Sequence, residues 1–496
     1  MQKLYQVTWK NIKNREALYF KVQGNTSTKN NILAIKQGGA VDLLTYFNCF
    51  SLCQWKRYTT IEKLYIKGFI EGKVKIDAIG LTEKGTKQLQ TMYAEGEFTF
   101  VFDIAIVQEP ILGLNITAIT DCLINEVAYY GDFSTWKPLK IGVSICTFKR
   151  EQYVKKTMAK LQDFSKQNLW LRTLVVDNGS TLPEMDTPLL RIIHNPNYGG
   201  SGGFTRGLIE NLERRENDYV LLMDDDIDLE TTILTRMHAL LCGLKEKYKE
   251  SFLSGAMLRM ESPCIQHENT AYWGKIRLHS LGQGWNLEDS KNLLANEGIA
   301  DYKNQYGAWW FCCIPLRRIA EIGLPLPVFI KGDDMEYGIR NNREIIHMNG
   351  IGVWHEAFAG KVTDVINYFS DRNMFIMNQY AVSCNRATLF VAIVGRLVKR
   401  LVKGNISGVR YLNLAVTDVL SGFTELTKVP SDKKFAEVRA YKSDENVLLV
   451  ILKVIYKAIF GFLKYSNLKK SYVSFRSNEL KDSSFWREFL MMNKKR

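Results

Sequence analysis

The sequence predicts an α/β protein in three parts: a β-sandwich over residues 1–135, a central doubly wound α/β domain over 136–385 and a basic helical region over 386–496. Three observations carry that division. Short β-type runs crowd the first part, strand and helix patterns alternate through the second, and almost all of the positive charge sits in the third. The chain has 496 residues and a formal net charge of +14. Residues 386–496 hold 22 Lys and Arg against 9 Asp and Glu, which leaves the rest of the chain close to neutral. One end is therefore suited to an anionic partner. With 46% hydrophobic and 24% charged residues, the composition is globular and excludes collagenous, low-complexity and disulfide-scaffold chains.

In the first part the runs ALYFKV, KLYIKGFIEGKVKIDAIG, FTFVFDIAI and GLNITAI are separated by Gly and polar turns, the pattern of antiparallel strands. No cluster of chemistry-bearing residues accompanies them, so this part reads as a structural or carbohydrate-contacting accessory domain. After the WKP at 136–138 the pattern changes. KIGVSIC (140–146) is a buried parallel-type strand, followed by the helical stretch EQYVKKTMAKLQDF, the strands LRTLVVDNGS and LLRIIHN, a Gly-rich loop, the helix FTRGLIENLERR and the strand YVLLMDDD (219–226). Ligands of such sheets bind at the carboxyl ends of strands. The polar tips fall at those ends: Thr147 to Arg150, Asp177 to Ser180 and Asp224 to Asp226.

From about Asn385 the chain reads as helices that are apolar on one side and basic on the other, ATLFVAIVGRLVKRLVKG and NVLLVILKVIYKAIFGFLKYSNLKK. That composition predicts peripheral attachment to an anionic membrane surface. The longest apolar run, 447–463, is broken by Lys453 and Lys457 and is shorter than the roughly 20 residues that span a bilayer. The nine cysteines are scattered without a C-x-x-C pair, the usage of a reduced protein. The N-terminal stretch lacks the apolar core of a signal peptide. The expected location is cytoplasmic, peripheral on the inner face of the cell membrane.

Three motifs carry chemistry. A buried strand ending in Asp224, Asp225 and Asp226 concentrates negative charge that a divalent cation, Mn²⁺ or Mg²⁺, would relieve. Strand alternation puts Asp224 and Asp226 on one face, for a metal-bound diphosphate, and turns Asp225 toward the sugar of a nucleotide. The competing reading is an acidic cap for a helix starting near Leu229, for which one Asp would serve. The second motif is FIKGDDMEYGIR (329–340), where Asp333 and Asp334 supply a general base facing a sugar hydroxyl, or cap a helix. The third is IGVWHE (351–356). Its His355 follows the acidic pair closely enough to return to the same cleft, where an imidazole beside carboxylates suits Mn²⁺. In NPNYGGSGGFTRG (195–207) the glycines let the backbone approach a ligand and Arg206 could meet a phosphate. Neither G-x-G-x-x-G nor a P-loop is present. Trp309 and Trp310 are either core aromatics or a sugar-stacking platform.

In this order these elements resemble the family 2 glycosyltransferases of GT-A fold: CTFKR (146–150), VDNG (176–179), the triple Asp strand, the acidic pair and the His. More narrowly they are similar to the bacterial galactofuranosyltransferases that build cell-wall galactan, through 197–207, Trp309 and Trp310, KGDD (331–334), WHE (354–356) and YFSDRN (368–373). TYFNCF (45–50) and WKRYT (55–59) extend the likeness into the first part. Gly332 stands where the family often has an aromatic residue. The resemblance implies that Phe148, Arg150, Asp177 and Asn197 hold uridine diphosphate, that Asp224, Asp226 and His355 bind the metal, and that Asp334 is the base. Trp309, Trp310 and Asp333 would line the acceptor site. It further implies inverting transfer of galactofuranose from UDP-galactofuranose onto a glycan or lipid-linked glycan in cell-wall or capsule synthesis. Donors carrying rhamnose or a hexopyranose, and a non-catalytic carbohydrate-binding scaffold, are the competing readings. Nucleic-acid binding is not expected, because the basic tail carries apolar faces rather than interleaved stacking aromatics. Self-association into a homo-oligomer is compatible with the sequence.

Overall fold

The computed structural model describes residues 1–10, 12–357, 363–382 and 384–492. The first 133 residues build one nine-stranded antiparallel sheet. Its spine is a hairpin of two long strands, β1 (Ile61–Thr82) and β2 (Gly85–Asp103). On the other edge of β1, β3 (Ile111–Ala118) pairs with residues 74–81 and β4 (Cys122–Phe133) with residues 61–71. The changeover lies at a register shift between Ile70 and Val74. There Gly72 takes φ +91°, and a Cβ would stand 2.4 Å from the Asp121 carbonyl oxygen. Hydrogen bonding thus runs through all nine strands, whereas a sandwich would divide it between two sheets. The physical reason is the length of β1, which at 22 residues serves both halves.

The central sheet has seven strands. Four run parallel: β5 (Ile141–Thr147), β6 (Leu171–Asp177), β7 (Leu190–His194) and β8 (Tyr219–Asp224). They are buried on both faces, as parallel strands under helices must be, and are accordingly continuous apolar runs. Helix α1 (Glu151–Gln167) connects β5 to β6, and α2 (Gly199–Arg214) connects β7 to β8. The chain winds outward from β5 through β6 to β7, then returns to place β8 on the opposite side of β5. The carboxyl ends of β5 and β8 therefore flank a topological switch point, where α/β sheets bind ligands.

Beyond β8 the chain leaves for a small sheet containing β9 (Ala256–Arg259) and β10 (Gln266–Glu268). It returns as β11 (Phe311–Pro315), antiparallel to β8. The doubly wound pattern thus holds for four strands, and the rest of the sheet is antiparallel. Helix α3 (Asp333–Asn341) follows, and β12 (Gly352–His355) then joins the small sheet parallel to β9.

The C-terminal region is helical: α4 (Asp364–Tyr380), α5 (Arg386–Val402), α6 (Ile406–Leu420) and α7 (Val447–Glu479), with shorter turns between. Helix α7 buries Val450, Val454, Ala458, Gly461, Tyr465, Leu468, Tyr472 and Phe475 at the three-and-four spacing of a packed seam. The Tyr472 hydroxyl donates to Glu336 Oε1 at 2.6 Å, and Trp486 Nε1 to the Pro325 carbonyl at 2.9 Å. Much of the apolar stripe expected to face a membrane is thus turned against the protein. Leu448, Leu452, Tyr456 and Leu463 remain exposed on the other side of α7. Among the described residues no helix is long and apolar enough to cross a membrane.

Candidate active site

At the switch point, Asp224 ends β8 and Asp225 and Asp226 form a turn. The turn, rather than strand alternation, brings Asp226 back to the side of Asp224. The helix that follows starts only at Thr232, with Thr231 before it and no side-chain cap, so the three carboxylates do not serve as its cap. Their opposite wall is β12. Asp228 and Trp354 exchange two backbone hydrogen bonds, 2.8 Å and 3.0 Å, and the next residue is His355. Its Nε2 stands 3.0 Å from Asp226 Oδ1 and 3.9 Å from Asp224 Oδ2.

Ligand atoms of Asp224, Asp226 and His355 all lie within 4.8 Å of one another. His355 Nδ1 lies 2.6 Å from the Glu356 carbonyl, which as an acceptor requires the proton on Nδ1. Nε2 is thus the ring atom that faces the carboxylates: it donates to Asp226 while protonated, and presents a lone pair to a metal once that proton leaves. Two carboxylates and one imidazole are a donor set that fits Mn²⁺ well and Mg²⁺ less well.

The electrostatics of the three acids differ. Burial, together with the neighbouring carboxylates, pushes Asp224 up to about 7 despite the opposing effect of His355. Burial raises Asp225 to about 6, against a hydrogen bond from Thr147 Oγ1 at 2.6 Å. Burial opposes ionisation of Asp226 as well, but hydrogen bonds from His355 and Arg150 outweigh it and hold that group at about 2. Burial works against the His355 imidazolium, and Asp226 and Asp224 more than offset it, so its pKa is raised. One anion in the cluster is thus firmly ionised, while Asp224 keeps a proton that a cation would displace.

The second acidic pair opens α3. Gly332 precedes it with φ +92°, and the Asn373 amide of α4 donates to the carbonyls of Ile330 and Lys331 at 2.7 Å and 2.6 Å. Asp333 and Asp334 occupy the first helical turn, and both line a cleft of about 680 Å³ that also contains Asp224. Burial and mutual repulsion raise Asp333 well above the ordinary carboxylate range, and burial raises Asp334.

Trp309 and Trp310 are almost fully buried, yet both line the same cleft. Trp309 packs edge-on against Phe204 and Tyr337, and Trp310 Nε1 donates to the Gly255 carbonyl at 2.9 Å. Core and platform readings are therefore compatible.

The residues expected on the nucleotide side are less uniformly gathered. Arg150 forms an ion pair with Asp226 and lies 3.6 Å from Asp225. Phe148 is exposed beside Thr147. Asp177 is fully buried, and its carboxylate accepts from the backbone N–H groups of Gly179, Thr181 and Leu182 at 2.7–2.8 Å. It organises the loop after β6. Asn197 Oδ1 accepts from the Gly199 N–H at 3.2 Å. Arg206 is not among the residues lining the cleft and pairs with Glu210 at 2.8 Å. The Gly-rich segment is itself the first turns of α2, not a loop before it. Gly199 takes φ +70°, with space for a Cβ only 2.1 Å from the Phe329 carbonyl oxygen, and a Cβ on Gly207 would meet Ser144 Oγ at 1.8 Å. The close approach these glycines allow is chiefly helix to sheet.

Three contacts in and beside the cleft lie beyond the sequence reading. Glu268 on β10 is almost fully buried in the cleft, bonded by Ser280, with burial raising it to about 7. Thr147 bridges the ends of β5 and β8 through Asp225. Arg396 of α5 reaches the cleft wall while donating to Asp371 Oδ1 at 2.8 Å. Glu268 sits in a polar HEN run (267–269) inside a buried segment, which is a faint signal. Thr147 is marked in the sequence only as part of the polar tip of β5, and Arg396 carries no signal.

Residues 8–132 match the family model described as galactofuranosyltransferase 2 N-terminal. The chain is similar to galactofuranosyltransferase GlfT2 of Mycolicibacterium smegmatis, 24% identical over 454 residues, 83% of this chain and 68% of that protein. It is also similar to GlfT2 of Mycobacterium tuberculosis, 26% identical over 434 residues, 79% of this chain and 66% of that protein. The chain thus spans about two thirds of the length of these relatives. Among solved structures it is similar to S. aureus TarS 1-349, at 14% identity over 68% of this chain and 92% of that chain, with a TM-score of 0.34. By sequence kinship the chain is a glycosyltransferase, a relative of the galactofuranosyltransferases.

Proposed function

We propose that this glycosyltransferase moves galactofuranose, with inversion, from UDP-galactofuranose to a hydroxyl of a glycan or lipid-linked glycan acceptor in surface-glycan synthesis. The carrying observation is convergence: the ligand atoms of Asp224, Asp226 and His355 gather within 4.8 Å of one another, and Asp224 shares with the Asp333–Asp334 pair one cleft walled by Trp309 and Trp310. Kinship with GlfT2 proteins supports the sugar.

A divalent cation, Mn²⁺ or Mg²⁺, held by Asp224, Asp226 and His355 would supply positive charge to the diphosphate as it leaves. The chain's own residues do the rest. Asp334 takes the proton of the acceptor hydroxyl, and its raised pKa suits a base working near neutrality. The freed oxygen attacks the anomeric carbon, and the bond from that carbon to the diphosphate oxygen breaks on the opposite face. Asp333, held protonated by its neighbour, donates a hydrogen bond to the acceptor. Trp309 and Trp310 present ring faces to it and exclude water. Phe148, Arg150 and Asn197 flank the nucleotide, and Asp177 shapes its loop.

The division into 1–135, 136–385 and 386–496 is part of this reading, with the last part resting on an anionic membrane surface. Exposed Leu448, Leu452, Tyr456 and Leu463 alternate with Lys453 and Lys464 along α7, an interfacial pattern. Co-sedimentation with phosphatidylglycerol vesicles, lost when Leu452 and Leu463 are both changed to Glu, is the check.

The donor is tested by incubating the protein with Mn²⁺, an acceptor glycan and a panel of UDP- and dTDP-sugars while following nucleotide release. UDP-galactofuranose should stand out. Equal or faster use of a hexopyranose or rhamnose donor overturns the sugar, and no release from any donor favours a scaffold.

A further inference from the structure

On the reading of Asp224, Asp226 and His355 as a metal centre, we propose that Arg15, from the N-terminal sheet region, is a positioning residue that sets the spacing of two of its ligands. The guanidinium of Arg15 touches both walls of the centre. Its Nη1 pairs with Asp228 Oδ2 at 2.7 Å, and its carbon lies 4.0 Å from the centroid of the Trp354 ring. Asp228 is two residues beyond Asp226, and Trp354 directly precedes His355. The two are bound to each other by their paired backbone hydrogen bonds. A single cation thus closes a loop of contacts that has one metal-facing side chain close to each end, Asp226 in the turn and His355 on β12.

The surroundings make this contact stiff. Trp354 is 1% exposed, packs on Phe47 at 5.3 Å between centroids, and donates through Nε1 to the Pro263 carbonyl at 2.9 Å. Asp228 is held from the other side by Lys160 of α1, with Nζ 2.6 Å from Oδ1. Lys10 pairs with Glu230, which is buried two residues further on. A guanidinium that lies over an indole while one of its N–H groups bonds a carboxylate is a geometry Arg provides and Lys does not. Metal ligands depend on such outer contacts for orientation, and losing one typically weakens metal binding about 10- to 100-fold. The N-terminal region therefore forms part of the active-site architecture.

The experiment measures Mn²⁺ binding to the full chain by electron paramagnetic resonance in the presence of UDP, with no turnover required. Arg15→Gln should raise the Mn²⁺ dissociation constant about tenfold, while circular dichroism and Tm stay close to wild type. Arg15→Lys should give an intermediate shift, because the charge survives and the stacking does not. Lys160→Gln, which removes the second cation from Asp228 without touching the N-terminal region, should give a smaller shift and serves if Arg15→Gln does not fold. Unchanged Mn²⁺ affinity in a folded Arg15→Gln protein, or in Lys160→Gln where Arg15→Gln fails to fold, overturns the role of Arg15 and leaves the metal centre standing. A wild-type chain that binds no Mn²⁺, indistinguishable from Asp224→Asn, overturns the centre and the role of Arg15 together.

Discussion

The two acidic clusters of the cleft are built from the same residue type and behave differently. Around Asp226, the ring of His355 and the guanidinium of Arg150 lie within bonding distance, and the carboxyl is held at about 2. Around Asp333 and Asp334 no ion pair forms among the described residues, and both groups are raised by burial. Positive charge makes the first a place for a permanent anion. Its absence leaves the second with carboxyls raised above the ordinary range. On the proposed reading, neighbours rather than residue type separate ion binding from acid–base work.

The sharpest way to break this contrast is to remove one carboxylate from each cluster. Asp334→Asn should lower transfer by about 10³-fold, within the usual range for a lost general base, while UDP and Mn²⁺ still bind by calorimetry. Asp224→Asn and His355→Ala should fail differently, with Mn²⁺ affinity falling along with transfer. If Asp334→Asn instead loses Mn²⁺ and Asp224→Asn keeps it, the two roles are exchanged.

Acidification sharpens the contrast further. A base must be ionised, and burial lifts Asp334 above the ordinary carboxylate value, so kcat/KM should fall with decreasing pH well before pH 4. The drop should reach about tenfold for each unit below the apparent pKa of the pair. A flat profile down to pH 4 would mean that no raised carboxyl takes part.

These contrasts are partly legible in the amino-acid sequence. The run YVLLM followed by three Asp announced a buried strand with a charged tip, and β8 ends at Asp224 as that pattern requires. Asp333 and Asp334 were legible as a helix start and as cleft acids because both follow from acids after an apolar turn. Contacts across long sequence separations were hidden. The pairing of Arg15 with Asp228 joins residues 213 positions apart, and no local pattern marks it. Helix α7 misled for a different reason: it is apolar on two sides, and hydropathy alone does not say that Val450 and Tyr472 face protein while Leu452 faces out. The glycines of α2 looked like a ligand loop because the signal for close approach is the same whether the neighbour is a phosphate or Ser144.

Glu268 gives the finest test, because it is a cleft acid outside both clusters, with neither a cation nor an assigned proton transfer. Its folded pKa of about 7 lies above the 4.5 of an unperturbed Glu carboxyl, chiefly through burial. The sign follows from proton counting: between those two values the folded chain binds a proton that the unfolded chain has released, so stability falls as pH rises. The penalty is absent below pH 4 and complete above about pH 7. At one pKa unit per 1.36 kcal/mol and with allowance for relaxation, it amounts to roughly 2 kcal/mol. Glu268→Gln keeps an acceptor for the Ser280 hydroxyl and cannot ionise. In thermal melts without metal or donor it should therefore exceed wild type by a few degrees at pH 8 and match it at pH 4. A variant that melts lower than wild type at pH 8 would show that the Glu268 carboxylate is held in its charged form, placing it with Asp226 rather than with Asp334.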